Sequence, residues 1–264
     1  MTAIALALQA VRERVAAGAK AAGRAPREIR LVAVSKTFPP GKIAQAHQAG
    51  QTAFGESYAQ EGVEKILALE KILLEWRVEP TPAGSDRARS DALRPSSGVA
   101  SPAEPLLHPL EWHFIGPIQS NKTRLVAEHF DWVHSVDREK IAERLSIARP
   151  AHLPPLQVCI QINVSGEATK SGILPDAAAR LAGFIQDLPR LKLRGLMAIP
   201  QPTGDFELQR RQFRKLREMK DALVAQGVPL DTLSMGMSHN LEAAIWEGAT
   251  LVRVGTAIFG ERKP

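Results

Sequence analysis

The sequence predicts an α/β fold, a (β/α)8 barrel with one extra helix at its N-terminus. Two observations support this: eight short apolar runs rich in β-branched residues, and amphipathic helical patterns between them. A strand and a helix repeated eight times are the signature of this barrel. A doubly wound open sheet is the alternative. The predicted strands lie at 30–34, 52–55, 112–116, 132–136, 156–164, 193–199, 231–236 and 250–255.

The helical patterns have start and stop residues of the expected kinds. An apolar stripe with helical spacing predicts the extra helix at about 2–22, before the first strand. Further along the chain, Pro175 begins a helix that Pro189 ends. Asp205 is a suitable N-cap for a long basic helix, and Gly227 ends it. These boundaries support the alternating order of elements.

Side-chain alternation within the strands favours the closed barrel over the open sheet. In the fifth strand, four aliphatic residues alternate with Cys159, Gln161 and Asn163. An apolar face toward the helices and a more polar face toward the lumen would give this pattern. By the same alternation, Lys36 and Arg253 point into the barrel near the carboxyl ends of the first and eighth strands. Active sites of such barrels lie at that end.

The segment 77–110 interrupts the barrel pattern. It holds 6 of the 19 prolines, four arginines against four acidic residues, and no aromatic residue. Such a segment buries too little apolar surface to offset the entropy of ordering it, and it is shorter than an independent domain. We therefore predict a disordered insertion within a single barrel domain that spans 1–264.

Composition argues against several classes of function. The net charge of +6 is modest, and no dense block of Lys and Arg indicates nucleic-acid binding. The basic helix at 206–226 is the one candidate for such binding, and a solvated helix face is the better explanation of its charge. Cys159 is the only cysteine, which excludes an intramolecular disulfide and a cysteine-based zinc site; we predict no metal site.

Targeting signals are also missing from the sequence. The N-terminus lacks the basic region of a signal peptide, and the longest uncharged run, 150–166, contains three prolines as well as Gln and Asn. The sequence therefore indicates a cytoplasmic protein that does not bind membranes.

Lys36 is the first candidate for chemistry. Inside the barrel mouth, desolvation and the neighbouring Arg253 would favour its neutral amine, the form that makes Schiff bases with carbonyl compounds. The alternative is a lysine just past the strand whose amine reaches solvent.

Two glycine turns are the second candidate. Gly236 and Ser238 follow the seventh strand, and Gly255 and Thr256 follow the eighth. Backbone N–H groups, hydroxyls and helix N-termini at these two loops commonly bind phosphate in such barrels. The alternative is a pair of simple turns in which Ser238 caps the next helix. With Lys36, the loops suggest a phosphorylated carbonyl ligand.

Eight ungapped motifs, in the same order along the chain, resemble the pyridoxal phosphate homeostasis protein family, whose members are single barrels of the alanine racemase N-terminal type. The resemblance runs from about Leu31 to Gly260 and skips the insertion. The motifs are AVSKTFPP, FGESYAQE, WHFIGPIQSNKTR, WVHSVDR, VCIQINVSGEATKSG, LRGLMAIP, LSMGMSHNLEAAI and VRVGTAIFG.

This resemblance implies that the cofactor is pyridoxal 5′-phosphate, held as a Schiff base on Lys36. It also implies that the two glycine turns hold the phosphate and that Arg253 faces the pyridine nitrogen. The implied cofactor-binding residues are Lys36, Ser57, Gly236, Ser238, Arg253, Gly255 and Thr256.

The sequence departs from the family pattern at two places. Ser57 stands where the family has Asn in FGEN, and we expect this change to weaken a hydrogen bond near the cofactor ring. His239 and Asn240 stand where the family has two aspartates. We expect this second change to leave the phosphate loop intact and to reduce helix-dipole compensation slightly. His239 is expected to be an exposed residue of the first helical turn, without a catalytic role.

The family pattern favours binding over catalysis. An arginine beside the pyridine nitrogen keeps that nitrogen unprotonated, so the ring is a weak electron sink. Related racemases add a tyrosine as second acid or base from another domain, for which this chain has no residues left. Its only tyrosine, Tyr58, is expected to pack. We therefore predict a protein without catalytic residues that serves pyridoxal phosphate homeostasis and the apoenzymes that need the cofactor. The resemblance also implies a monomer.

Two enzyme classes are the alternatives to this prediction. One is a pyridoxal phosphate-dependent amino-acid racemase that uses Lys36 as a base. The other is a cofactor-free Schiff-base aldolase, which also requires an inward lysine.

Overall fold

The computed structural model describes residues 1–78, 109–167 and 171–261. Eight parallel strands, β1 to β8, close into a barrel in chain order. This confirms the predicted (β/α)8 barrel and excludes the open sheet. The strands are β1 (Arg30–Val34), β2 (Ala53–Glu56), β3 (Glu111–Phe114), β4 (Trp132–Val136), β5 (Leu156–Gln161), β6 (Leu191–Met197), β7 (Thr232–Ser234) and β8 (Leu251–Val254).

Helices surround the barrel, and the first of them is the extra N-terminal helix that the sequence predicts. Short 3-10 turns at Pro26–Glu28, Ser120–Lys122 and Pro175–Ala177 accompany them. The α-helices are α1 (Ala3–Ala21), α2 (Pro40–Gln48), α3 (Ala59–Val78), α4 (Thr123–His129), α5 (Glu139–Ala148), α6 (Ala178–Gln186), α7 (Phe206–Ala225), α8 (Leu241–Trp246) and α9 (Thr256–Phe259).

The predicted helix boundaries hold closely. Pro175 begins a 3-10 turn that leads directly into α6, so the α-helix itself starts slightly later than predicted. Asp205 is the N-cap of α7, because its Oδ1 accepts a hydrogen bond of 3.1 Å from the backbone N–H of Leu208. Gly227, just after that helix, has φ +90°, which favours glycine over any residue with a side chain.

The core has two layers, as the strand alternation predicts. On β5, Val158 and Ile160 belong to the large cluster between the strands and the helices. Cys159, between them, belongs to a second cluster with Trp132 and Met197 of neighbouring strands. Since successive side chains of a strand point to opposite faces, this second cluster fills the lumen. Burial there raises the pKa of the Cys159 thiol to about 12.

The predicted insertion lies largely outside the described residues. Helix α3 continues to Val78, two residues into the segment 77–110, and Leu110 at its other end packs against the core. The residues between, 79–108, are not described, so their predicted disorder stays a prediction. None of the helices in the described ranges is long and apolar enough to span a membrane. In the same ranges, no group of three or more His, Cys, Asp or Glu could hold a metal ion.

Candidate functional site

Lys36 lies just beyond β1, at the carboxyl end of the barrel. Pairing of Val34 with Gly55 places Ser57, two residues further along, beside it on the β2 side. On the β8 side, a Cβ at Gly255 would lie 3.0 Å from the Val34 carbonyl oxygen, so the Gly255 loop runs against the end of β1. The half-buried Lys36 therefore stands between Ser57 and the loop that follows β8.

A cavity of about 840 Å³ opens from Lys36 toward β3. Ser57 and Tyr58 line it together with Gln119 and Arg138. The two glycine turns and Arg253 do not line this cavity; they belong to β7 and β8, on the opposite side of Lys36. The predicted residues thus form two groups that meet at Lys36.

The side chain of Tyr58 does not pack, contrary to our expectation. It is 58% exposed and lies at the mouth of the cavity. The chain turns at this point from β2 into α3, so the side chain that follows the strand end points away from the core. Tyr58 therefore shares a cavity with Lys36.

Buried charges hold the backbone on the N-terminal side of Lys36. The Ser35 hydroxyl donates to Glu56 Oε1 at 2.7 Å, and Lys65 Nζ donates to the Ser35 carbonyl oxygen at 2.8 Å. Lys65 and Glu56 are themselves 3.0 Å apart, and both are buried. Burial raises the pKa of Glu56, although the positive charge of Lys65 opposes the shift. The position of Lys36 thus depends on an ion pair inside the protein.

A second carboxylate holds the backbone on the other side of Lys36. Glu61 Oε1 accepts a hydrogen bond of 2.5 Å from the Thr37 backbone N–H and also contacts Lys65 at 2.5 Å. Thr37 has φ +69°, a conformation that is costly for a β-branched residue. The hydrogen bond to Glu61 stabilises this conformation and so holds the backbone that follows Lys36.

Sequence reasoning missed Glu56, Glu61 and Lys65. Two signals were available: Glu56 belongs to a quoted motif at the end of a buried strand, and Glu61 and Lys65 have the i,i+4 spacing of a helical ion pair. Neither signal shows that the three residues converge on the backbone around Lys36.

The glycine turns have the geometry that a phosphate requires. Gly236 has φ +95°, and a Cβ at this position would lie 2.6 Å from the Ala244 Cβ, so only glycine fits. The backbone N–H groups of Ser238, Gly255 and Thr256 donate no hydrogen bond to any described residue. Unpaired N–H groups in adjacent loops make an anion-binding concavity. The residues present therefore fit a phosphate group.

Asn240 gives the turn after β7 its shape. Its side chain is buried, and its Oδ1 accepts a hydrogen bond of 2.7 Å from the Met237 backbone N–H. Asn240 is also the N-cap residue of α8, so Ser238 is not, which removes the simple capping explanation for Ser238. His239 is exposed, as predicted. An amide oxygen at position 240 supplies the same acceptor as the family's aspartate would.

We expect Asn240→Ala to lower the free energy of unfolding by about 1–3 kcal/mol, because the Met237 N–H would lose its acceptor in a buried turn. Asn240→Asp keeps an acceptor oxygen and should recover most of the loss. Chemical denaturation of the two variants beside the wild type measures the difference. Equal stabilities of the Ala and Asp variants would contradict the role given to the side chain.

Arg253 points into the barrel, as the alternation predicts. Its Nη1 donates to Ser234 Oγ at 2.5 Å and its Nη2 to the Ala198 carbonyl oxygen at 3.0 Å. Burial lowers the pKa of the guanidinium to about 10, so it stays cationic at neutral pH. A buried cation held by neutral acceptors is available to an acceptor atom of a ligand.

Comparison with known proteins shows the family of this chain. The family model for the alanine racemase N-terminal domain matches residues 6–263. The pyridoxal phosphate homeostasis protein of Pseudomonas aeruginosa is 49% identical over 262 residues, which cover 99% of this chain and 97% of that protein. The protein of the same name from Escherichia coli K12 is 48% identical over 265 residues, 99% of this chain and 98% of that one. PipY of Synechococcus elongatus, solved with PLP bound, has a TM-score of 0.73 and 30% identity, and the match covers 97% of this chain and 100% of PipY.

Proposed function

The chain belongs to the pyridoxal phosphate homeostasis protein family, and from this we propose that it binds pyridoxal 5′-phosphate reversibly and takes part in the homeostasis of that cofactor. One observation on the residues of this chain supports the proposal. Lys36 stands where the cavity of β2 and β3 meets the glycine turns of β7 and β8.

Each part of the site has a distinct role in the proposal. When bound, the cofactor supplies an aldehyde, the group with which the Lys36 amine would form a Schiff base. The N–H groups of Ser238, Gly255 and Thr256 would hold the phosphate, and Gly236 lets the backbone approach it. Ser57 would lie beside the ring, opposite the β8 loop.

Arg253 favours storage of the cofactor over turnover. A guanidinium is a permanent cation at neutral pH, and it would donate to the pyridine nitrogen and keep that nitrogen unprotonated. The ring would then withdraw electrons weakly, which disfavours carbanion chemistry. We therefore propose that the protein is not an enzyme. A cytoplasmic location, a monomeric state and delivery to cofactor-requiring apoenzymes are parts of the same proposal.

Borohydride reduction of the purified protein, supplied with pyridoxal phosphate, tests the proposal. Peptide mass mapping should find a pyridoxyl group on Lys36, and Lys36→Ala should lose that adduct entirely. Lys71→Ala, which removes an exposed lysine of α3, should keep it. A wild-type protein whose Lys36 remains unmodified would contradict the assignment of the site.

Amino-acid racemase is the second candidate, and the position of Tyr58 favours it. Its exposed phenol shares a cavity with Lys36, and a racemase needs a second acid or base opposite its lysine. Steady racemisation of an amino acid that is lost in both Lys36→Ala and Tyr58→Phe would establish this activity. We expect no such turnover, because the ring would face Arg253 and not a carboxylate.

A further inference from the structure

A row of buried polar side chains crosses the lumen of the barrel and ends at Arg253. Arg253 Nη1 lies 2.5 Å from Ser234 Oγ, and Ser234 Oγ lies 2.7 Å from His134 Nδ1. His134 Nε2 lies 2.9 Å from His113 Nδ1, and His113 Nε2 lies 2.7 Å from Glu111 Oε1. The row joins β8, β7, β4 and β3. Arg253 is its only member among the proposed cofactor-binding residues.

The charged groups at the two ends of the row decide how its protons are arranged. A guanidinium can only donate, so Ser234 Oγ accepts from Arg253 and keeps its own proton and a second lone pair for the contact with His134. The Glu111 carboxylate can only accept, so a neutral His113 carries its proton on Nε2 and its Nδ1 accepts from His134 Nε2. A neutral His134 then has no proton on Nδ1, which accepts from the Ser234 hydroxyl. Every donor in the row points away from Arg253.

The charges at the two ends of the row favour this orientation of its donors. Burial lowers the pKa of His134, and the neighbouring His113 and Arg253 lower it further. Burial also lowers the pKa of His113, against the attraction of Glu111, so both imidazoles are neutral. His113 Nε2 and Glu111 Oε1 lie only 2.7 Å apart, but their contact is too bent for a good hydrogen bond.

Glu111 is the negative end of the row. Its burial opposes ionisation, but its contacts with His113 and with Arg30, the latter at 2.7 Å, lower the pKa of the carboxyl overall. A carboxylate at the amino end of the barrel thus polarises neutral groups that lead to a cation at the carboxyl end. Neutral dipoles aligned between opposite charges stabilise one another.

We infer that Ser234 and His134 are positioning residues that hold the Arg253 guanidinium in a single orientation toward the barrel mouth. The Ala198 carbonyl fixes the second nitrogen of the guanidinium, so the two contacts together leave its plane no freedom to turn. The value of this orientation for the cofactor ring rests on the proposed function, but the orientation itself does not.

NMR of the cofactor-free protein tests the orientation directly. In the wild type, the side-chain nitrogens of His113 and His134 should show neutral Nε2–H tautomers, and rotation of the Arg253 guanidinium should be slow. In Ser234→Ala, which removes only a hydroxyl, that rotation should accelerate at least about tenfold, as expected for the loss of one hydrogen bond to a charged group. Ser234→Thr keeps a hydroxyl and should restore slow rotation.

Cofactor release provides a second readout that a merely structural role would not change. Ser234→Ala should shift the absorption maximum of the bound cofactor and release it about tenfold faster, whereas Ser234→Thr should resemble the wild type. Equal guanidinium rotation in the wild type and Ser234→Ala, or a charged His134 at neutral pH, would overturn the inference. A wild type with slow rotation that binds no pyridoxal phosphate would support the positioning role and contradict the proposed function instead.

Discussion

Replacement of Lys65 by Met is expected to lower the free energy of unfolding by about 3–5 kcal/mol at neutral pH, the usual cost of leaving one member of a buried ion pair without its partner. Lys65 contacts Glu56 at 3.0 Å, and Glu56 is fully buried. Its Oε2 atom has no hydrogen-bond partner among the described residues. Lys65 also donates to the carbonyl of Ser35, next to Lys36, so the variant should release the cofactor faster as well.

The destabilisation caused by Lys65→Met should depend on pH in a defined direction. Burial raises the folded-state pKa of Glu56 above its ordinary value of 4.5, so the folded protein binds the proton more tightly than the unfolded chain does. The contribution of this group to stability is therefore greatest at low pH and is lost as pH rises through the folded-state pKa. Without Lys65 that pKa rises further. The decrease in the free energy of unfolding caused by Lys65→Met should consequently be larger at pH 8 than at pH 5.

Denaturant unfolding at the two pH values measures the effect, with Lys71→Met as the matched control. Lys71 lies on the same helix, α3, but is exposed, and its replacement should change the free energy of unfolding by no more than about 0.5 kcal/mol. If the decrease in the free energy of unfolding of Lys65→Met is independent of pH, or no larger than that of the control, then Lys65 does not stabilise the buried charge of Glu56.

Gly195→Ala is expected to destabilise the barrel by at least about 3 kcal/mol, at the upper end of overpacking effects. Gly195 of β6 pairs with Thr232 of β7. A Cβ at Gly195 would lie 1.8 Å from the Thr232 carbonyl oxygen and 2.6 Å from its carbonyl carbon. These are backbone atoms of a neighbouring strand, so relief of the clash requires the two strands to separate.

Gly183→Ala is the control for this prediction. Gly183 lies within α6. Apart from its chain neighbours and the nearby backbone of its own helix, a Cβ at this position would have no atom within 4 Å. Because alanine restricts the unfolded chain more than glycine does, this change should stabilise the protein by about 0.5–1 kcal/mol. Thermal unfolding of both variants compares them. Similar unfolding temperatures for Gly195→Ala and the wild type would mean that the strands accommodate the methyl group.

Local sequence patterns were sufficient to predict the order of the elements and the residues that face the barrel lumen. Periodicity is a local property, so alternation within β5 and β8 was enough to separate Cys159 and Arg253 from their aliphatic neighbours. The position of Lys36 at the carboxyl end of β1 followed from the same local reasoning, and the glycines after β7 and β8 indicated the loops of the proposed phosphate site.

The contacts that support these residues join positions far apart in the chain. His134 and Ser234 are 100 positions apart, and the hydrogen bond between them exists because the barrel closes. Lys65 reaches the Ser35 carbonyl across 30 positions in the same way. Exposure of Tyr58 likewise depends on how the chain leaves β2. Contacts between residues distant in the chain carry no periodic signal, so the residues that hold Lys36 and Arg253 in place could be identified only from the folded barrel.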